Sequence, residues 1–171
     1  MSLPEPLQNV AEKYQRQLPV GIVEMARDLG IEMYHTDGLK KGQSGSIAYE
    51  DGGYVIYVNV NETPARKRFT IAHELGHWAL HQDFLKQQGE LIDSAKQTTD
   101  GALYRAPGET PGGQKRENEA NQIAAELLMP AEQFRRIYEQ ADSIEEVADR
   151  FGVSASAASV RAKTLLNSFM M

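Results

Sequence analysis

The stretch His73-Glu74-Leu75-Gly76-His77 is the part of the sequence from which the fold around it can be predicted. It lies in a run that predicts one buried helix from residue 64 to about residue 81, since apolar residues recur there on most faces of a helix. Histidines four residues apart in a helix lie about 40° apart around its axis, so both imidazoles project from one face. His73 and His77 can therefore occupy two positions around one tetrahedral zinc ion.

The glutamate that follows the first histidine indicates what such a zinc ion would do. Glu74 is close enough to the histidines to act on a water at the metal rather than bind the metal itself. The zinc ion lowers the pKa of that water, and Glu74 accepts its proton as a general base. The stretch thus predicts a hydrolytic zinc site with Glu74 as the catalytic residue.

The alternative is a buried helix in which two histidines and one carboxylate have only structural partners. A glutamate in an apolar helix is costly to bury without a partner, and a water at a metal supplies one. Gly76 weakens a helix interior by about 1 kcal/mol, so it indicates a packing or access requirement at that position. Both observations favour the metal site.

A third ligand is expected from a helix that faces the first, because catalytic zinc normally takes three protein ligands. The candidate helix spans about residues 115–128 and ends near Pro130. Glu117 and Asn121 lie four residues apart beside its apolar face, so Glu117 can bind the metal while Asn121 orients a ligand histidine. In the alternative, Glu117 is a solvated carboxylate of the first helical turn, and Glu119 replaces it as the ligand.

Taken together, these motifs resemble a known family. The stretches Arg68-Phe69-Thr70-Ile71-Ala72-His73-Glu74-Leu75-Gly76-His77, Glu117-Asn118-Glu119-Ala120-Asn121 and Leu127-Leu128-Met129-Pro130 are similar to motifs of the ImmA/IrrE-type metallopeptidases. The resemblance implies a small zincin-like fold and a glutamate third ligand at Glu117. It also implies a narrow protein substrate, often a helix-turn-helix repressor, and a role in mobile elements or stress responses. The loop around residues 101–114, rich in glycine and proline, departs from the family pattern, so the resemblance extends to the metal site but not to the geometry of the substrate cleft.

The predicted fold is α+β, with a small, mainly antiparallel sheet packed on the buried helix and followed by C-terminal helices. Strands are predicted over residues 31–35, 46–50 and 54–60, with Asp51-Gly52-Gly53 as a hairpin turn. Helices are predicted over residues 4–17, from Pro19 to Gly30, over 131–140, and in two segments of the tail that meet at Gly152. Residues 82–114 are predicted to be less regular, with a long loop in their second half. We expect residues 1–130 to form the metallopeptidase core and residues 131–171 a helix-turn-helix-like segment packed on it.

Composition argues against several other classes of protein. The 171 residues have a net charge of -6, and acidic chains have no general attraction to nucleic acid. The absence of cysteine excludes disulfides and cysteine-ligated zinc. No apolar run approaches the roughly 18 residues of a membrane span, and the first residues do not resemble a signal peptide, so we expect a cytoplasmic protein.

Two other functions remain as alternatives. One is a non-catalytic regulator in which the metal is structural and the tail binds a partner protein. The other is a DNA-binding regulator that reads DNA with its tail helices. Residues 131–171 hold five basic and six acidic side chains, and the last helix offers only Arg161 and Lys163. This balance favours packing or partner docking over DNA reading.

Several residues have minor predicted roles. His81 is predicted to cap the end of the helix rather than bind metal, and Phe69 and Trp78 are predicted to be core residues. Tyr104 and Arg105 are candidate oxyanion stabilisers. Strand 46–50 is predicted to be a sheet edge to which a peptide substrate adds as an extra strand.

Overall fold

The computed structural model describes residues 2–88, 90–93, 95–97, 103–105 and 112–169, with side chains for 2–87 and 112–168. The described chain contains helices α1 (Glu5–Tyr14), α2 (Ile22–Asp28), α3 (Pro64–Leu80), α4 (Gln82–Gln88), α5 (Gly113–Leu128), α6 (Ala131–Gln140), α7 (Ile144–Phe151) and α8 (Ala155–Phe169). Its strands are β1 (Glu32–Thr36), β2 (Gly45–Glu50), β3 (Gly53–Asn59), β4 (Glu90–Asp93), β5 (Ala95–Gln97) and β6 (Leu103–Arg105). The fold is α+β, as the sequence predicted.

The main sheet has the strand order β1-β3-β2-β4. Strands β2 and β3 form the predicted hairpin, in which Glu50 pairs with Gly53 across a turn of two residues. Asp51 and Gly52 both have positive φ, 51° and 79°, which suits the tight turns that join twisted strands. Strand β4 is antiparallel to β2, and β1 is parallel to β3, so the sheet is mainly antiparallel.

Helix α3 packs against this sheet and is the central helix of the fold. Thr63 caps its first turn by accepting a hydrogen bond from the backbone N–H of Arg66, and Pro64 is the first helical residue. Every residue from Thr70 to His77 is buried. The apolar ones, including Ile71 and Leu75, join the core that the sheet forms with Ile47 and Ile56. A helix buried at this depth holds its polar side chains at fixed positions.

Helix α5 also packs against α3. The closest approach is at Gly76, where a methyl group would lie 3.0 Å from both Cα and the carbonyl oxygen of Ala120. The glycine therefore meets a packing requirement, because a side chain at residue 76 would push the two helices apart.

The C-terminal helices pack on this core through buried aromatic rings and through arginines bonded to backbone carbonyls. Phe134 of α6 stacks on Phe151 of α7, with ring centroids 5.5 Å apart. The Arg68 guanidinium donates hydrogen bonds to the carbonyl of Gly152 at 3.1 Å and to that of Val20 at 2.8 Å. Ser143 caps α7, and its hydroxyl accepts a hydrogen bond from the Glu146 N–H at 3.1 Å.

Three predictions about local structure were wrong. Helix α2 begins at Ile22 rather than at Pro19, because the Val20 carbonyl bonds to Arg68 and to the Ile22 N–H instead of a helical partner. Residues 82–105 contain α4 and three short strands, of which β4 pairs with the distant β2 and β5 and β6 pair with each other. Strand β2 is not an edge, because β4 pairs along it from Gly45 to Ala48. A substrate strand therefore cannot add there as predicted.

The predicted loop at residues 101–114 lies mostly outside the described residues, apart from β6 and the start of α5. Across the described part of the chain, no helix combines the length and apolarity needed to cross a membrane.

Candidate metal centre

The three polar residues of the central stretch lie on the buried part of α3. His73, Glu74 and His77 are all fully inaccessible to solvent. The Nε2 atoms of the two histidines face each other at 3.1 Å, and the rings are nearly perpendicular. Two ring nitrogens at that distance can share only one hydrogen bond. A cation between them could instead be bound by the lone pairs of both nitrogens.

Glu117 enters this pair of histidines from α5 and is almost completely buried. Its Oε2 lies 3.0 Å from Nε2 of His73, and its Oε1 lies 2.9 Å from Nε2 of His77. Tetrahedral ligands bound at about 2.0–2.1 Å to one zinc ion lie roughly 3.3 Å from one another. The three groups are therefore spaced much as such an ion requires.

The chemistry of the three groups also fits a metal ion. Two imidazoles and one glutamate form a ligand set that catalytic zinc commonly takes, leaving a position for water or substrate. All three ligand atoms lie within 4.8 Å of one another. Burial by itself raises the pKa of Glu117, but hydrogen bonds with His73 and His77 outweigh burial and hold that pKa well below its usual range. Glu117 is thus held as a carboxylate, the form that binds a cation.

Both histidines are oriented by partners on their far sides. Nδ1 of His73 lies 2.8 Å from Oδ1 of Asn121, which is on α5 one turn after Glu117. Nδ1 of His77 lies 3.0 Å from Nδ1 of His81, and Nε2 of His81 lies 3.3 Å from Oε2 of Glu119. Burial lowers the pKa of His81, against an opposing effect of the Glu119 hydrogen bond. Each histidine therefore turns Nε2 towards Glu117 and Nδ1 towards a polar partner.

Glu74 lies beside this cluster, on the side of α3 that faces β2. A methyl group placed on Gly45, the first residue of β2, would lie 3.9 Å from Oε1 of Glu74. The same methyl group would lie 2.5 Å from the Thr70 side chain, so β2 approaches α3 closely at this point. Strand β2 of the hairpin therefore packs beside the Glu74 carboxylate and limits the space around it.

Comparison with known proteins shows the family of the chain. Residues 26–163 match the family model described as IrrE N-terminal-like domain, and this range contains every residue of the cluster. The chain belongs to this family. It is 31% identical over 121 residues to the radiation response metalloprotease IrrE of Deinococcus radiodurans, a match that spans 66% of this chain and 33% of that protein. The chain therefore corresponds to about one third of the length of that curated relative.

A solved structure described as a Mycobacterium tuberculosis transcriptional regulator has a similar fold. The similarity covers 93% of this chain and 46% of the other, with a TM-score of 0.61 and 22% sequence identity. At that identity the likeness concerns the fold alone.

The other predicted site residues have mixed outcomes. Phe69 and Trp78 pack against the core, as predicted. Tyr104 and Arg105 lie on β6, and their side chains fall outside the described residues. Glu119 is half-buried against His81, and Glu117 is buried rather than the solvated carboxylate of the alternative.

Sequence reasoning missed the pairing of His81 with Glu119. His81 ends α3, as predicted, but its backbone N–H makes the helical bond to His77, and its ring is directed at two side chains. The available signal was the spacing, since His81 continues the four-residue repeat of His73 and His77. Only the packing of α3 on α5 shows that Nε2 of His81 meets Glu119.

Proposed function

We propose that this chain is a zinc-dependent endopeptidase in which His73, His77 and Glu117 bind the metal and Glu74 is the catalytic base. The observation that carries the proposal is the buried cluster of two imidazoles and one carboxylate, with a second carboxylate beside it on the same helix. The chain's family and the name of its curated relative as a metalloprotease support it. So does the donor set, which is one that zinc takes in open catalytic sites.

The residues have distinct parts in the proposed reaction. A zinc ion held there would polarise the scissile carbonyl and make a water molecule more acidic. Glu74 accepts a proton as that water's oxygen bonds to the carbonyl carbon, and returns it to the amine nitrogen as the C–N bond breaks. Asn121 keeps the His73 ring in the orientation that presents Nε2.

We further propose that the substrate is a specific regulatory protein, such as a helix-turn-helix repressor. This rests on the family resemblance of the motifs rather than on a contact in the site. The structure disfavours the DNA-reading alternative, because Arg161 is buried in α8 and bonds to Glu126 and to the Met129 carbonyl. Of the two basic residues of that helix, only Lys163 is exposed.

A Glu74→Gln variant tests the enzyme against the non-catalytic alternative. Glu74 is not a proposed ligand, so the variant is expected to keep one zinc per chain and to lose cleavage of a proteome-derived peptide library and of repressors encoded beside the gene. The loss is expected to be about 100-fold or more, because general acid–base catalysis typically contributes about 10²–10⁴-fold. Glu132→Gln, the same substitution at an exposed position of α6, is the matched control.

The outcomes separate the proposals clearly. Zinc in the wild type with no cleavage of either set of substrates would favour a structural metal in a regulator. Cleavage that persists in Glu74→Gln would refute Glu74 as the base. Cleavage of the library but not of the repressors would refute only the proposed substrate.

A further inference from the structure

The ring of His81 is not needed to end α3, because the backbone of His81 already makes the terminal hydrogen bond of that helix. The bond that ends α3 is made by the His81 N–H to the His77 carbonyl at 2.8 Å. The ring is nonetheless largely buried and lies between two polar side chains, His77 and Glu119. A buried imidazole with both nitrogens directed at polar atoms indicates a defined hydrogen-bonding role.

His77, His81 and Glu119 form a row of hydrogen-bonded side chains, and their geometry indicates which ring nitrogen carries each proton. His77 turns Nε2 towards Glu117, so in a neutral ring that presents Nε2 to a metal, the proton is on Nδ1. That proton is donated to Nδ1 of His81 at 3.0 Å, which requires the His81 proton to be on Nε2. Nε2 of His81 then donates to Oε2 of Glu119 at 3.3 Å. Each donor in the row meets one acceptor.

The row is the counterpart of the Asn121 contact on the other histidine. Asn121 presents an oxygen to Nδ1 of His73, and His81 presents a nitrogen to Nδ1 of His77. Both supports depend on α5, which carries Asn121 and Glu119 as well as Glu117. Helix α5 therefore supplies a ligand, contacts Nδ1 of His73 directly through Asn121, and supports Nδ1 of His77 indirectly through Glu119 and His81.

We infer that His81 and Glu119 are positioning residues for His77, which fix its tautomer and ring orientation so that Nε2 faces the metal. The inference rests on the proposed metal site and adds residues that do not touch metal or substrate. Partners that accept the second N–H of a ligand histidine typically change metal affinity about 10–100-fold. Lys115 lies 3.9 Å from Glu119 but is highly exposed, so it adds little to the row.

Zinc affinity measured by chelator competition tests the inference without relying on activity. His81→Leu removes the Nδ1 acceptor but still fills the space with a side chain, and we expect zinc to bind about 10–100-fold more weakly. His81→Gln restores an acceptor oxygen, and we expect its affinity to stay near that of the wild type. His35→Leu, the same substitution on β1 at an exposed position, is the matched control and is expected to leave affinity unchanged.

Three further measurements distinguish a positioning role of His81 from an effect on folding. In the zinc-loaded wild type, nitrogen-detected NMR of the histidine rings is expected to show a proton on Nδ1 of His77 and on Nε2 of His81. Glu119→Ala leaves α3 unaltered and is expected to weaken zinc binding less than His81→Leu does. Unfolding of the metal-free proteins then reports whether any variant has lost its fold.

The outcomes are separable from those of the proposed function. A wild type that binds no zinc would overturn the metal site and this inference together. Wild-type affinity in both His81→Leu and Glu119→Ala would overturn this inference alone. Equal losses in His81→Leu and His81→Gln, with His35→Leu unaffected, would also overturn it, because packing rather than an acceptor would then explain the effect.

Discussion

Gly76 of α3 lies directly against the backbone of Ala120 of α5, and this contact sets the distance between the two halves of the metal centre. A methyl group on residue 76 would lie 3.0 Å from the Ala120 Cα and 3.2 Å from Cβ of Ile123. Two of the proposed ligands are on one side of the contact and Glu117 is on the other. Any change in the spacing of the helices therefore changes the distances between ligands.

Gly76→Ala is expected to destabilise the protein even though alanine is the better helix former. The gain in helix propensity is about 1 kcal/mol, whereas overpacking a close contact costs about 1–3 kcal/mol. The contact involves backbone atoms, which move less readily than the end of a side chain, so the cost is expected to exceed the gain. Denaturant unfolding of the metal-free protein measures the net change, and zinc binding is expected to weaken in parallel.

Gly53→Ala is the control for this prediction. Gly53 begins β3, its φ is not positive, and nothing lies within 4 Å of a methyl group placed there. We expect its stability to change by less than about 0.5 kcal/mol. A Gly76→Ala protein more stable than the wild type would show that the helices adjust without loss.

Asn121→Leu is expected to weaken zinc binding about 10–100-fold, because Nδ1 of His73 loses its acceptor. Asn121→Asp keeps an oxygen at the same place and is expected to retain most of the affinity. Asn118→Leu, an exposed asparagine of the same helix, serves as the comparison. Chelator competition gives the affinities, and equal affinities for Asn121→Leu and Asn118→Leu would contradict the proposed role.

Arg161→Met is expected to loosen the C-terminal helices from the core. The guanidinium is buried between the Glu126 carboxylate and the Met129 carbonyl, and its loss leaves both acceptors poorly paired. Since Glu126 is partly exposed, with 18% of its side chain accessible, we expect a cost of about 1–3 kcal/mol rather than the larger cost of a fully buried pair.

Unfolding of Arg161→Met, Glu126→Gln and the double variant isolates the coupling between the two side chains. Lys163→Met, on the exposed side of α8, is the control and is expected to change stability by less than about 0.5 kcal/mol. Additive effects of the two single variants would contradict a direct ion pair.

Local sequence patterns predicted those helices and strands whose own residues include recognisable turn or helix-start residues. The predicted strands on either side of the Asp51-Gly52-Gly53 turn predicted the β2–β3 hairpin, and the Thr63 cap agrees with the helix predicted from residue 64. Short elements were missed for the opposite reason. Strand β4 has four residues and is a strand because β2 offers it a partner, which no local pattern reveals.

The sequence by itself determined that His73, Glu74 and His77 share one helix and that both imidazoles leave it on one face, because helical periodicity depends only on spacing along the chain. It also offered Glu117 and Asn121 as candidates, again through spacing. Only the tertiary structure decided that Gly76 lets α5 approach closely enough for Glu117 to reach both histidines, and that His81 meets Glu119. The reason is physical: distances between separate helices are set by the side chains packed between them, and those contacts join residues far apart in the sequence.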